Sequence, residues 1–235
     1  MQRGRSGAKE TDPVEPVSVA MVEATLAHAN PVVRAMIQVQ LLTGTRPGEI
    51  IIMQGIDLDM TGPVWIYRPC SHKTAWRGHQ RVVAIGPKAQ AVIKPFLKLN
   101  TEAYLFCPAD ACDDATWRER RKPGERYTVD SYRKAVVRAC DRAFPLPEWL
   151  TRREGESWKK WRARLTEHDR AEVQSWRTDH CWHPHQLRHT RATEIRRLYG
   201  LEAAQAILGH SELGTTQVYA ETDLATAQRI MREIG

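Results

Sequence analysis

The sequence lacks any apolar run long enough to cross a membrane, and its polar start has no signal-peptide core. Cysteines are few and odd in number, since only five occur in 235 residues. They are also scattered along the chain: Cys70, Cys107, Cys112, Cys140 and Cys181. This pattern excludes a disulfide framework and favours reduced thiols in a cytoplasmic protein.

A recognisable zinc motif is absent as well. His and Cys, both zinc ligands, cluster in the run HCWHPH at 180–185, but the spacing fits no familiar finger and no CxxC is present. Cys107 and Cys112 would join such a site only if the fold brought them close. We therefore expect no metal and no cofactor.

Positive charge is in excess. The net charge is +7 at pH 7, with 42% apolar residues and 27% charged residues. The apolar and charged fractions are typical of a soluble globular protein, and the length fits one large or two small domains. The positive net charge favours a polyanionic partner.

Cap and turn residues predict a mostly α-helical chain with one small antiparallel β-sheet, an α+β fold. Residues 1–15, rich in Gly, Pro and charge, are interpreted as a linker or tail. Two β-like runs, 64–68 and 81–85, flank a polar loop and predict a hairpin. Helices are predicted at 18–28, 31–43, 47–53, 88–99, 128–144, 184–199, 201–208 and 220–234.

The segment 145–182 is unusual, because it holds five of the eight tryptophans among dense charge. One interpretation is an extra helical pair whose tryptophans pack on the body of the domain, with the charges solvated. The other is an element that faces DNA or a protein partner.

Several residues together could cut a phosphodiester without a metal. The reaction needs fixed cations for the phosphate oxygens, a nucleophile, a base and an acid. Arginine suits the first task, since its planar fork meets two oxygens and stays charged. The candidates are Arg46 at a helix start, His185 and Arg188 on one helix face, His210 after a helix-ending glycine, Lys73 in the hairpin loop, and Tyr219 nine residues after His210.

Simpler explanations exist for each candidate. Arg46 could merely pair with Glu49. Lys73 could be a solvated loop residue, with His72, Arg77 and Arg81 as competing cations nearby. Tyr219 could be a packing residue, and His189 is interpreted as a structural neighbour.

The motifs resemble those of the catalytic domain of tyrosine recombinases, the family of phage integrases and chromosome-dimer resolvases. The resemblance covers roughly residues 16–235. It rests on TGTRPGE at 43–49, Lys73, HQLRHT at 185–190, LGH at 208–210, and Tyr219, in the family's order and settings.

The resemblance implies that Tyr219 attacks the scissile phosphate of double-stranded DNA and forms a 3′-phosphotyrosyl link. Arg46, Arg188 and His210 would hold the non-bridging oxygens. His185 would accept the tyrosine proton, and Lys73 would protonate the leaving 5′-oxygen. The alternatives are a DNA-binding remnant without recombination activity and a type IB topoisomerase.

The family also implies a homo-tetramer on DNA, with a monomer possible in its absence and no membrane partner. The final helix, with Ile230, Met231 and Ile234 as its docking face, would then dock on a neighbour or fold back on its own domain. Most members carry an N-terminal clamp domain, whereas only about fifteen polar residues precede the motifs here. Without a clamp we expect weak, salt-sensitive and poorly specific DNA binding.

Overall fold

The computed structural model describes residues 14–70, 81–111, 123–208 and 217–235, with side chains of the last range from residue 224 onward. The described residues are mostly helical with one three-stranded antiparallel sheet, as predicted. Short 3₁₀ turns connect several of the elements. In chain order, the α-helices and β-strands are α1 (Val19–Leu26), α2 (Pro31–Thr43), α3 (Pro47–Ile50), β1 (Leu58–Asp59), β2 (Trp65–Tyr67), β3 (Val83–Ile85), α4 (Pro87–Ile93), α5 (Val129–Ala143), α6 (Trp158–Arg164), α7 (Glu167–His180), α8 (Pro184–Leu208) and α9 (Gln217–Ile234).

Side-chain caps define where the first helices begin. The Ser18 hydroxyl accepts a hydrogen bond from the Met21 N–H at 3.2 Å and starts α1. Oδ1 of Asn30 accepts from the Val33 N–H at 2.9 Å and starts α2. Such side chains satisfy N–H groups that have no partner within the helix. Both predicted helix starts are confirmed.

Two predicted helices end earlier than expected. The helix predicted at 47–53 ends at Ile50, and a turn continues the chain. The helix predicted at 88–99 ends at Ile93 and tightens into the 3₁₀ turn Lys94–Phe96, because Pro95 cannot donate a helical hydrogen bond. The two helices predicted on either side of Gly200 are confirmed, because Gly200 has a non-helical backbone (φ 86°, ψ 177°) that divides α8 into two helical segments.

Helix α2 forms the centre of the main core. Val32, Met36, Ile37 and Val39 on this helix are fully buried. Helices α4 and α8 pack against it, and the main core also takes in both faces of the β2–β3 hairpin. Central burial of α2 fixes the position of the loop that follows it.

The sheet has the order β1-β2-β3, with antiparallel pairing throughout. The predicted hairpin is confirmed, with Trp65 opposite Ile85 and Tyr67 opposite Val83. Strand β1 was not predicted, because two residues are too short to show alternation.

The segment 145–182 folds into the predicted helical pair, α6 and α7. Its own small core consists of Leu150, Trp161, Leu165 and Val173. The tryptophans divide into buried and exposed positions. Trp182 lies in the main core, whereas Trp149 is 66% exposed and Trp158 is 58% exposed. The prediction that they pack on the body of the domain is therefore correct only in part.

Helix α9 packs against its own chain. Ile230 and Met231 are buried in a cluster with Ala84 and Ile195, and Ile234 packs against the same cluster. The Lys88 N–H donates to the Gly235 carbonyl at 2.6 Å. The predicted docking face is used, and in the single chain it folds back on the same domain. None of the described helices is long and apolar enough to span a membrane.

Candidate active site

Arg46 occupies the N-cap position of α3 and is tied to Glu49. Its Nη1 donates to Oε1 of Glu49 at 2.7 Å. Its backbone N–H donates to Oε2 of the same carboxylate at 2.9 Å. The pair expected as a simple alternative for Arg46 is therefore present. The Arg46 side chain remains 24% exposed, so it is open to a ligand on one side.

A buried polar network fixes the loop that presents Arg46. The Tyr132 hydroxyl donates to Oε1 of Gln40 at 2.8 Å. Nε2 of Gln40 then donates to the Thr45 carbonyl at 2.7 Å. The Thr43 and Thr45 hydroxyls lie 2.5 Å apart. Because every member is buried and partnered, the loop has one conformation.

Gly44 provides the turn within this loop. It ends α2 with φ of 70°, in the left-handed region that glycine tolerates. A Cβ at this position would lie 2.7 Å from Cδ2 of Leu208. The position therefore requires glycine both for its backbone angle and for the close approach of α8.

Arg188 joins the Gly44 turn to the end of α8. Its Nη1 donates to the Gly44 carbonyl and its Nη2 to the Leu208 carbonyl, each at 2.7 Å. The residue is only 4% exposed. A guanidinium carries five N–H donors, so the two bonds leave further donors for a phosphate. Arg188 thereby fixes the chain just before Gly209 and His210.

Arg81 is the third arginine of this region. Its Nε lies 3.4 Å from Oε1 of Glu49, and both side chains are nearly fully buried. Its Nη1 donates to the Val82 carbonyl at 3.0 Å. Among the described residues, Nη2 of Arg81 is buried without a hydrogen-bond partner.

The electrostatics of the cluster follow from burial and shared charge. Burial alone would raise the pKa of Glu49, but the Arg81 charge and the hydrogen bonds from Arg46 hold that pKa below its usual value. Burial lowers the pKa of Arg188, and the charges of Arg81 and Arg46 lower it further. Glu49 is therefore ionised at neutral pH, and the three guanidinium groups lie within electrostatic reach of one another.

His185 lies near this cluster, and its pKa is lowered. Burial lowers its pKa, and the charges of His189, Arg188 and Arg46 add to the effect. The His185 and His189 rings meet edge to face, with centroids 5.0 Å apart. A histidine with a lowered pKa is unprotonated at pH 7 and can accept a proton.

The structure brings together three of the six predicted site residues: Arg46, His185 and Arg188. Lys73 and His210 lie outside the described residues. Tyr219 falls in the first turn of α9, and its side chain lies outside the described part. The roles predicted for all six residues stay predictions.

Sequence reasoning missed the part that Arg81 and Glu49 play. Arg81 was considered only as a competing cation for the position of Lys73. Glu49 was considered only as a surface partner for Arg46. A signal was available, because strand alternation places Arg81 on the same face as Val83 and Ile85 in the predicted strand 81–85. The described residues contain no group of three or more His, Cys, Asp or Glu placed to hold a metal, and Cys112 of the zinc hypothesis lies outside them.

Sequence comparisons identify the relatives of this chain. Residues 156–225 match the phage integrase family. The curated relatives that this chain is similar to are tyrosine recombinases. Tyrosine recombinase XerC of Escherichia coli O127:H6 is 28% identical over 192 residues, which cover 81% of this chain and 48% of that protein. XerC of Shewanella oneidensis is 32% identical over 111 residues, which cover 45% of this chain and 34% of that protein.

Solved structures share the fold. The XerA recombinase gives a TM-score of 0.51 at 18% identity, covering 94% of this chain and 67% of that one. The Tn1549 transposon integrase, solved with circular intermediate DNA, gives 0.53 at 18% identity, covering 92% of this chain and 66% of that one. The predicted tyrosine recombinase fold is therefore confirmed. The chain spans about half the length, or less, of the curated relatives described here.

Proposed function

We propose that this chain is the catalytic domain of a site-specific DNA recombinase that cuts and rejoins strands through a 3′-phosphotyrosyl intermediate. The observation that carries the proposal is the meeting of Arg46, Arg188 and a neutral His185 in one site. These residues are up to 142 positions apart in the sequence. Their convergence is difficult to explain by stability alone, since like charges brought together in a buried site oppose folding.

The reaction follows from the chemistry of these groups. The Tyr219 oxygen attacks the scissile phosphorus and its proton passes to His185. The bond between phosphorus and the 5′-oxygen breaks, and Lys73 protonates that oxygen. Arg46, Arg188 and His210 balance the negative charge that builds on the non-bridging oxygens. A 5′-hydroxyl from a second strand reverses these steps, so neither ATP nor a metal is consumed.

The relatives support a DNA substrate, because the Tn1549 integrase was solved in complex with DNA. We propose that residues 16–235 form one catalytic domain, preceded by the tail 1–15. The domain would act on double-stranded DNA, with four copies on two duplexes and a monomer possible off DNA. In that assembly α9 would leave its own chain and dock on a neighbour. The work would take place in the cytoplasm, at the nucleoid.

A suicide substrate tests the proposal. A duplex with a nick beside the cleavage site releases a short strand on cleavage, so the covalent protein–DNA adduct accumulates. We expect an adduct with the full chain and none with Tyr219→Phe, whose DNA binding is retained. An adduct that persists in Tyr219→Phe contradicts the assignment of the nucleophile, and no adduct with the unmodified chain supports a DNA-binding remnant.

A second substrate separates two enzyme classes. With two cognate sites, a recombinase produces joint molecules, whereas a type IB topoisomerase only relaxes a supercoiled circle. Relaxation without joint molecules would contradict recombination while leaving the phosphotyrosine chemistry intact.

A further inference from the structure

Glu49 presents an electrostatic problem for the proposed reaction. A carboxylate that pairs with Arg46 alone would cancel the charge that Arg46 is needed to provide. The carboxylate is buried, with a side chain only 3% exposed, so solvent screens it poorly. A second cation on the same carboxylate would change this balance.

Arg81 is that second cation. Oε1 of Glu49 lies 2.7 Å from Nη1 of Arg46 and 3.4 Å from Nε of Arg81. The cluster with Arg188 then holds three positive charges against one negative charge, an excess of two. That excess matches the two negative charges of a phosphodiester transition state, in which a fifth oxygen ligand joins the phosphorus.

Glu49 is itself fixed in place on several sides. Its Oε2 accepts from the Arg46 backbone N–H, and its carbonyl accepts from the Tyr67 hydroxyl at 2.7 Å. A carboxylate held this firmly cannot turn away from Arg46 if Arg81 is lost. It would instead remain beside Arg46 with its full charge.

We propose that Arg81 is a positioning residue for strand cleavage, and that it shares the Glu49 charge so that Arg46 keeps a net positive charge for the scissile phosphate. The inference rests on the proposed function. Arg81 acts through Glu49, and it needs no contact with the DNA. Burial of its charge, at 6% exposure, is a stability cost that this role explains.

Single-turnover cleavage of the suicide substrate by the full chain tests the role. We expect Arg81→Met to slow cleavage by roughly 10- to 100-fold, less than the loss of about 100-fold or more for a direct oxyanion donor. DNA affinity should change by less than about threefold, because Arg81 is buried and the proposed role needs no contact with the DNA. Arg81→Lys should recover most of the rate, since it restores the charge.

Two further measurements separate this role from a merely structural one. A methylphosphonate at the scissile position removes one phosphate charge, so the deficit of Arg81→Met should shrink on that substrate. In a Glu49→Gln background, the loss of Arg81 should cost less than in the unmodified chain, because no carboxylate charge remains to be shared.

Arg191→Met is the matched control. Arg191 is equally buried, at 3% exposure, but its guanidinium reaches Glu194 and the Ile234 carbonyl, away from Glu49. Any loss of cleavage rate in Arg191→Met should be the same on the phosphodiester and the methylphosphonate substrates.

If Arg81→Met cleaves within about twofold of the unmodified chain, the inference is wrong. It is equally wrong if the deficit is identical on both substrates and unchanged by Glu49→Gln. Should Arg81→Met not fold, Arg81→Lys and Glu49→Gln/Arg81→Met give the same comparison. An unmodified chain that forms no adduct contradicts the proposed function instead.

Discussion

Arg188 and Gly44 lie 144 residues apart, and Nη1 of Arg188 donates to the Gly44 carbonyl at 2.7 Å. The second hydrogen bond of the same guanidinium holds the Leu208 carbonyl. One side chain thus sets the distance between the loop that carries Arg46 and the end of α8. Arg188 therefore contributes to the stability of the fold, and in the proposed reaction it also binds the scissile phosphate.

Arg188→Lys should reduce both stability and cleavage. Lysine offers a point charge in place of a fork and cannot hold both carbonyls. Loss of one hydrogen bond from a charged group costs about 1.5–3 kcal/mol, so the urea midpoint should fall clearly. Arg46→Lys should slow cleavage as strongly but lower the midpoint less, because Arg46 is partly exposed. Near-normal cleavage by either variant would contradict the oxyanion role.

Gly44→Ala should disturb the site through the backbone. The residue has φ of 70° and its added Cβ would meet Leu208, so the Gly44 carbonyl would shift from Arg188. The strain of a left-handed residue is about 1–2 kcal/mol, before the clash is added. Gly48→Ala is the control, since a Cβ there meets nothing within 4 Å. Thermal unfolding should show a loss for Gly44→Ala only; equal losses would refute this explanation.

The pH dependence of cleavage should report His185. Its pKa lies below the usual value of 6.5, so the neutral base persists into mildly acidic solution. The rate should then fall as the pH drops through that lowered pKa and the base becomes protonated. His189→Asn removes a neighbouring charge, which raises the pKa of His185 and moves the acidic limb to higher pH. Single-turnover rates between pH 5 and pH 8 measure the shift, and a limb that stays in place argues against His185 as the base.

Gly86→Ala should release α9 from its own chain. A Cβ on Gly86 would lie 1.9 Å from the Met231 carbonyl and 2.7 Å from Cα of Gly235, both in rigid backbone. Amide hydrogen exchange should therefore rise across 224–235. Gly124→Ala provides the comparison, since its Cβ would have only an ordinary contact at 3.6 Å. Unchanged protection of α9 in Gly86→Ala would be incompatible with the observed packing.

Local signals in the sequence predicted most of the fold. Ser18, Asn30 and Thr128 were identified as helix starts, because a capping side chain acts on N–H groups within three residues. The same locality explains the errors. Strand β1 is too short to show a period, and the helix predicted at 88–99 ends early because Pro95 cannot donate a helical hydrogen bond.

The sequence by itself determined which residues are the candidates for the site, since their types, order and spacing resemble a family that requires them. Only the tertiary structure decided how their charges balance. The contact of Arg81 with Glu49 joins residues 32 positions apart, and that of Arg188 with Gly44 joins residues 144 apart. Charges act through space and with a strength set by burial, and neither property can be read from the order of residues along the chain.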